Sequence, residues 1–406
     1  MRVLQVTPRV AWPATDGGRV VMLQIARALH GLGVQVEVLS LNPRKQQVDV
    51  AAARQALAPV PLDAFPIDTS AHAMALARSF YLRTPQLVAR FYSPRFAAAL
   101  RRRLRQRHFD VVQLESPFLL PYVATIRANS RAAIALRSLN VEFRIWERLA
   151  ANEPRFANRL ALQAIARSLR RYEVKHLNDC DALVPITEVD AQEFRALGCT
   201  VPMHVLPGGV ELRGAAVDRT HEQPDAVGFL GSLDYRPNQE AALWIAEELQ
   251  PRLQDTARVQ IAGSRAPEWL RARLAASGAH FLGEVPDAAA FLAGLRIVIA
   301  PILSGGGMRI KILEAMAAGK AVIATTIGAE GIEAVPGEHL LIADDADAFA
   351  VAVAGLLRDP SRALAVGDAA RLLAGRRYAA GALARGLVTF YEELTQRRDV
   401  QRRHRP

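Results

Sequence analysis

The segment from 296 to 332 limits what this chain can become more than any other. It reads R-I-V-I-A-P-I-L-S-G-G-G-M-R-I-K-I-L-E-A-M-A-A-G-K-A-V-I-A-T-T-I-G-A-E-G-I. Two apolar, β-branched runs, Arg296 to Pro301 and Lys320 to Thr325, each opening on a single basic residue, have the length and texture of buried strands. Between them, Ser304 to Gly307 admits only a loop. Met308 to Ala318 alternates apolar and polar positions at helical spacing, and Gly319 stands where a helix ends. The unit is strand, glycine loop, helix, strand, which predicts an α/β fold on a parallel sheet. Arg309 and Lys311 fall in the first helical turn, where free backbone N–H groups and the helix dipole already make the potential positive. Cations are unfavourable there unless an anion docks at the same end, and Gly305, Gly306 and Gly307 let backbone amides approach its oxygens. Glu314 lies one turn deeper on the same face, able to accept hydrogen bonds from the hydroxyls of a ribose. A nucleoside diphosphate suits both ends. The plainer alternative is a surface ion pair between Lys311 and Glu314 beside a flexible loop.

A chain of 406 residues exceeds one ordinary core, so two domains of about 200 residues each are expected. The boundary falls near Pro207-Gly208-Gly209, followed by a charged run from Arg213 to Asp225. The formal charge of +11 points to acidic partners, although an arginine- and alanine-rich composition also follows from a GC-rich genome, which accounts for much of the excess. Nothing resembles a zinc site or a basic-plus-aromatic RNA motif, so nucleic acid is not an expected partner. Met1 leads directly into the strand-like R-V-L-Q-V-T, and no window is apolar enough to span a membrane, so a cytoplasmic protein is expected. Cys180 and Cys199 lack metal-type spacing and suit a reducing compartment.

From the start, residues 2–7 read as a strand, Ala11 to Gly18 as a loop, Arg19 to Leu32 as a helix and Val34 to Leu41 as a second strand. Gly17 and Gly18 stand at that helix entrance, where open parallel sheets bind ligands; a plain tight turn is the alternative. Asn42 to Thr69 shows no regular pattern. The span 71–108 reads as helical pieces broken at Pro85 and Pro94. It carries Arg95, Arg101, Arg102, Arg103, Arg105 and Arg107 beside Phe80, Tyr81, Phe91, Tyr92 and Phe96. A basic helix with aromatic flanks can lie on an anionic membrane surface, and a solvated arginine face is the competing explanation. Strands follow at Phe109 to Leu114, Ala132 to Arg137, Asp181 to Ile186, Ala226 to Leu230, Arg258 to Ala262 and Ala279 to Leu282. Helices between them complete the alternation.

The sequence P-x-x-x-G-G-G-M-R-x-K-x-L-E-A-M-A-x-G-K-A-V-I-A-T-x-x-G-x-E-G-I resembles the donor-site signature of glycosyltransferase family 4, the retaining GT-B enzymes that use activated sugars. W-P-x-x-x-G-G near the start resembles the same family's N-terminal glycine loop. The resemblance implies two Rossmann-like domains facing each other across a cleft. An N-terminal acceptor-side domain would span 1–207, a nucleotide-sugar-binding domain 208–377, and a helix at 378–397 would pack back on the first, before a disordered tail at 398–406. It implies that Arg309 and Lys311 stabilise the leaving diphosphate. Donor contacts would come from Gly17, Gly18, Gly231, Val285, Gly305, Gly306, Gly307, Met308 and the ribose-reading Glu314. Neither metal nor cofactor is implied. The partners would be a nucleotide-sugar donor and a glycan or lipid-linked acceptor, with peripheral contact to the inner face of the cell membrane through the 95–107 helix.

Besides Gly208, which replaces a usual asparagine in the hinge, three positions expected to face the donor depart from the family pattern. Gly306 stands where a glutamate grips the donor sugar, Leu139 where a histidine touches it, and Ser232 where an arginine follows Gly231. Arg236, Arg309 and Lys311 would then supply the positive charge, and backbone amides of Gly305 to Met308, or another residue, the grip on the sugar. The expected function is retaining sugar transfer to an acceptor hydroxyl in bacterial polysaccharide or glycolipid assembly. The alternative is a degenerate GT-B protein that binds nucleotide or a partner without turnover. A nicotinamide-dependent oxidoreductase is disfavoured, because no G-x-G-x-x-G follows either leading strand.

Overall fold

In a computed structural model the structure describes residues 1–14, 16–70, 73–212, 219–253, 256–305 and 307–403. The chain forms two compact units, one of Met1–Pro207 with the segment from Ala380 on, the other of Gly208–Ala379. The predicted charged run at 213–225 lies partly outside the described residues.

The first unit is built on six parallel strands: β1 (Arg2–Thr7), β2 (Gln35–Pro43), β3 (Leu62–Ile67), β4 (Val111–Leu114), β5 (Ala133–Ser138) and β6 (Ala182–Pro185). They pair in the order β3-β2-β1-β4-β5-β6. Helices cover both faces, which is why these strands are nearly continuous in apolar residues. Leu4 and Val6 of β1 pack toward Phe96 and Leu100. Val3 points the other way, toward Leu23, Leu387 and Tyr391. The last helix, Ala380–Arg403, completes this second face, and its Tyr391 hydroxyl donates to Gln113 Oε1 at 2.7 Å. It continues through residues 398–403, which the sequence places in a disordered tail. Arg398 holds that end by donating to the Ala132 carbonyl at 2.9 Å and pairing with Asp181. Residues 404–406 lie outside the described residues.

The span 42–69, irregular as sequence, holds helix Val50–Leu57 and edge strand β3. Pro66 and the half-exposed pattern of L-D-A-F-P-I hide β3 from a periodicity argument, but suit a sheet edge where one row of N–H groups has no partner.

The arginine-rich helix is Pro94–Gln106, capped by Ser93. Its apolar face is core: Phe96 and Leu100 are fully buried, and Phe91 and Tyr92 stack on Phe118 and Tyr122. Arg103 pairs with Glu37 and Asp63, Arg107 with Glu37, and Arg105 donates to Asn129 at 2.8 Å. The exposed aromatics are Phe80 and Tyr81, on the preceding helix Ala73–Leu82. The helix itself therefore offers a surface charge, not an apolar face.

The second unit repeats the architecture with β7 (Val227–Leu230), β8 (Val259–Ala262), β9 (His280–Gly283), β10 (Ile297–Ala300), β11 (Ala321–Ala324) and β12 (Leu341–Ile342). Their order is β12-β11-β10-β7-β8-β9, again all parallel. Read outward from β7, this is the doubly wound order of the first sheet. Strand order reverses between β7 and β10, so the loops leaving those two strands part there and open a ligand crevice at their carboxyl ends.

Candidate functional site

The crevice of the second unit is made by two turns: Gly231 to Asn238 after β7, and Pro301 to Arg309 after β10. β10 pairs with β7 in register from Ile297 opposite Val227, which sets both turns at the same edge. The helix after β10 spans Ile310–Ala317, and Gly319 adopts φ +68 just beyond its end. Arg309 is the N-cap, not a residue of the first turn, and Lys311 is the second helical residue.

The two cations have different surroundings. Arg309 is buried and turns back on its own loop, donating to the Gly307 carbonyl at 2.6 Å and to the Ser304 carbonyl at 3.3 Å. That stitching holds Gly305 and Gly307 at φ +96 and +76, a region that glycine enters freely. Lys311 crosses the crevice to the other turn. Its ammonium donates to Asn238 Oδ1 at 2.6 Å and sits 4.5 Å from the centroid of the Phe229 ring, a cation–π contact. Gly231 lies directly beside it: a Cβ there would be 2.9 Å from Lys311 Nζ and 3.0 Å from Asn238 Cγ. This turn needs glycine because the ammonium occupies the space of a side chain.

Burial lowers the Lys311 ammonium to about 7, with Arg309 adding repulsion and Glu314 opposing it. Glu314 is pushed up to about 6 by burial, against the pull of Lys311. The two are not in ion-pair contact, so the plainer reading of a Lys311–Glu314 pair is not what the structure contains. Among the described residues the Glu314 carboxylate has no hydrogen-bond partner, leaving both oxygens able to accept. Arg236 is held by Glu240 at 2.8 Å, and Ser232 donates to Asp234 at 2.7 Å while accepting from Arg265 at 2.7 Å. Arg265, which reaches the same turn, is paired with Asp234 at 3.3 Å, whereas Lys311 meets the turn through the neutral Asn238.

Of the remaining sequence-predicted contacts, Met308 is buried at the base of the loop. Val285 follows β9 on the same edge of the sheet. The Gly283 carbonyl accepts from Gly263 N at 2.7 Å, and a Cβ on Gly263 would lie 2.3 Å from the Gly231 carbonyl, so three turns abut in sequence along that edge. Gly306 lies outside the described residues. Gly17 and Gly18 belong to the first unit, where helix Gly17–Gly31 starts two residues earlier than its sequence pattern suggests because Asp16 caps it through Arg19 N. Arg9 donates to Asp16 at 2.6 Å, and a Cβ on Gly18 would meet Arg9 Nη2 at 2.8 Å and Leu139 Cδ1 at 3.7 Å. Sequence reasoning missed Arg9, Asn238 and Gly263. The first follows a strand as an ordinary surface arginine would. An asparagine in the first turn of a helix reads as a cap, and its burial appears only once the crevice is built.

Residues 15–213 match the family model described as Glycosyltransferase Family 4, and residues 224–359 the model described as Glycosyl transferases group 1. A phosphatidyl-myo-inositol mannosyltransferase of Mycobacterium leprae is 28% identical over 395 residues, covering 89% of this chain and 93% of that protein. Among solved structures, a sucrose-phosphate synthase from Thermosynechococcus elongatus superimposes with a TM-score of 0.70 at 16% identity, over 97% of this chain and 99% of that one. HepE of Anabaena, solved in complex with UDP, gives 0.69 at 12% identity over 97% and 100%. At such identities these two speak for the fold alone, which is GT-B. No helix among the described residues is long and apolar enough to cross a membrane. The two consecutive family matches and the mycobacterial relative support a glycosyltransferase of the GT-B type.

Proposed function

We propose that this chain is a retaining, metal-independent glycosyltransferase that moves a sugar from a nucleotide donor to an acceptor hydroxyl in bacterial polysaccharide or glycolipid assembly. The observation that carries the reading is the Lys311 ammonium, bound to Asn238 at 2.6 Å beside a side-chain-free turn at Gly231. A partly buried cation with no carboxylate in contact is costly, and the negative charge that develops on a leaving diphosphate would offset that cost. Lys311 thus stabilises the leaving group, and Arg309 shapes the glycine loop whose amides meet the donor. Glu314 accepts from the ribose, while Gly231, Val285, Gly305, Gly307 and Met308 provide close backbone; Gly306 is assigned to the donor contacts on its sequence position alone. In the first unit, Gly17 and Gly18 let a donor phosphate approach a helix N-terminus.

Transfer at the front face lets the departing diphosphate take the acceptor proton, so Leu139 does not forbid the reaction. The mycobacterial relative is named for transfer to phosphatidyl-myo-inositol. That supports a lipid-linked acceptor here, reached by peripheral contact of Arg95, Arg101 and Arg102 with anionic headgroups on the inner membrane face. The domain roles follow: acceptor side in 1–207, donor side in 208–377. The test is incubation with radiolabelled nucleotide sugars and a bacterial lipid extract, read as label in the lipid phase. Normal nucleotide binding with neither transfer nor hydrolysis for any common nucleotide sugar would favour a binding protein without turnover, for which Leu139 beside Gly18 is the structural argument.

A further inference from the structure

We infer that Asn238 is the positioning residue that aims the Lys311 ammonium at the Gly231 turn, and so decides whether the second unit can hold a diphosphate. The inference rests on the donor role proposed for Lys311. Asn238 opens helix Arg236–Trp244 and is 7% exposed. Its amide can face only one way. Nδ2 donates to the Ser232 carbonyl at 2.8 Å, and because a carbonyl only accepts, Oδ1 must point to the other side, where it takes the Lys311 proton at 2.6 Å. The Phe229 ring covers a second side of the ammonium at 4.5 Å. The ammonium has a third N–H, and Gly231 beside it brings no side chain: a Cβ there would lie 2.9 Å from Nζ.

Neutrality at position 238 matters as much as geometry. The charged groups that act on Lys311 are Arg309, which repels it, and Glu314, which attracts it. Without Asn238, a flexible four-carbon stem would relax toward Glu314, forming the inert pair that the structure avoids. An aspartate in its place would hold the ammonium but neutralise it before any anion arrives. An amide orients the cation and leaves its charge for the ligand.

The experiment uses the full chain and isothermal calorimetry with uridine diphosphate, guanosine diphosphate and inorganic pyrophosphate, from pH ~6 to ~9. In the natural protein, affinity should fall above about pH 7, as the ammonium loses its proton. Asn238→Ala should weaken binding of all three ligands about tenfold near neutral pH, by the loss of one orienting hydrogen bond to a charged group. Asn238→Asp should weaken binding and also move the fall to higher pH, because a carboxylate keeps the lysine charged. A purely structural asparagine would change the melting temperature without displacing the pH profile. An Asn238→Asp profile that falls at the natural pH therefore overturns the inference, as does unaltered affinity in Asn238→Ala. If the natural protein binds none of the three ligands, the donor reading itself fails, an outcome distinct from failure of the asparagine alone.

Discussion

Lys311→Met keeps the length of the stem and removes the charge, and it should move two measured quantities in opposite directions. The ammonium is lowered from an ordinary 10.5 to about 7 by burial and by Arg309. The folded state therefore resists the proton. Between pH 7 and pH 10.5 the unfolded chain holds more protons than the folded one, so the stability of the natural protein should rise with pH across that window and be lowest below it. Every tenfold weakening of proton affinity corresponds to ~1.4 kcal/mol, but relaxation and water entry reduce the recoverable part to roughly 1–3 kcal/mol. Loss of the contact with Phe229 and of the hydrogen bond to the buried Asn238 oxygen takes back about 1–2 kcal/mol. At pH ~6 the methionine variant should thus be as stable as the natural protein or more so, by up to about 2 kcal/mol, and its stability should lose the rise above neutrality. Nucleoside diphosphate affinity should drop about ten- to a hundredfold, the worth of one charge-assisted contact of roughly 1.5–3 kcal/mol. Denaturant titration at two pH values and calorimetry measure the two effects. Unchanged affinity in a folded variant refutes the diphosphate role, and a natural protein whose stability is flat through the window refutes the burial argument.

Glu314→Gln keeps shape and one acceptor, so ribonucleotide affinity should fall about tenfold while inorganic pyrophosphate binding stays nearly intact; equal losses would mean that Glu314 only orients Lys311. Leu139→His should leave turnover comparable or raise it, read as release of nucleoside diphosphate, because front-face transfer needs no protein base at that position; abolished turnover in a folded variant would contradict this. Arg95, Arg101 and Arg102 changed together to glutamate should lower binding to phosphatidylglycerol vesicles roughly a hundredfold, at ~1 kcal/mol per basic residue, and leave nucleotide affinity alone. Retained vesicle binding would move the contact elsewhere on the molecule.

How far the sequence could be read depended on whether a signal was local. The runs I-V-I-A and A-V-I-A announce central strands because both faces of a parallel sheet are covered, and β10 and β11 lie where those runs place them. Gly319 and the helix before it were equally plain. The edge strand β3 was not, since a sheet edge tolerates Pro66 and Asp63, which remove the alternation a reader looks for. The basic helix shows a different limit. Its arginines and aromatics are adjacent in sequence, but helical spacing turns Phe96 into the core while Arg103 and Arg107 find carboxylates on β2 and β3, more than thirty residues upstream.

The candidate site shows the same limit and a reason for it. Its cation was legible as a residue that a helix N-terminus should not welcome, yet its destination was not, because the partner Asn238 is 73 residues away on the other turn. The switch point explains how such a distance closes. Two loops leave neighbouring strands β7 and β10 at one edge, so a charge needed between them can be carried by either. The turn after β7 carries Ser232 and a neutral Asn238; the helix after β10 supplies Lys311 from the facing wall. Chemistry at such a crevice fixes where the charge must stand, not which loop bears it. Gly231 records the choice, since a cation arriving from the opposite wall needs the room that a Cβ would fill.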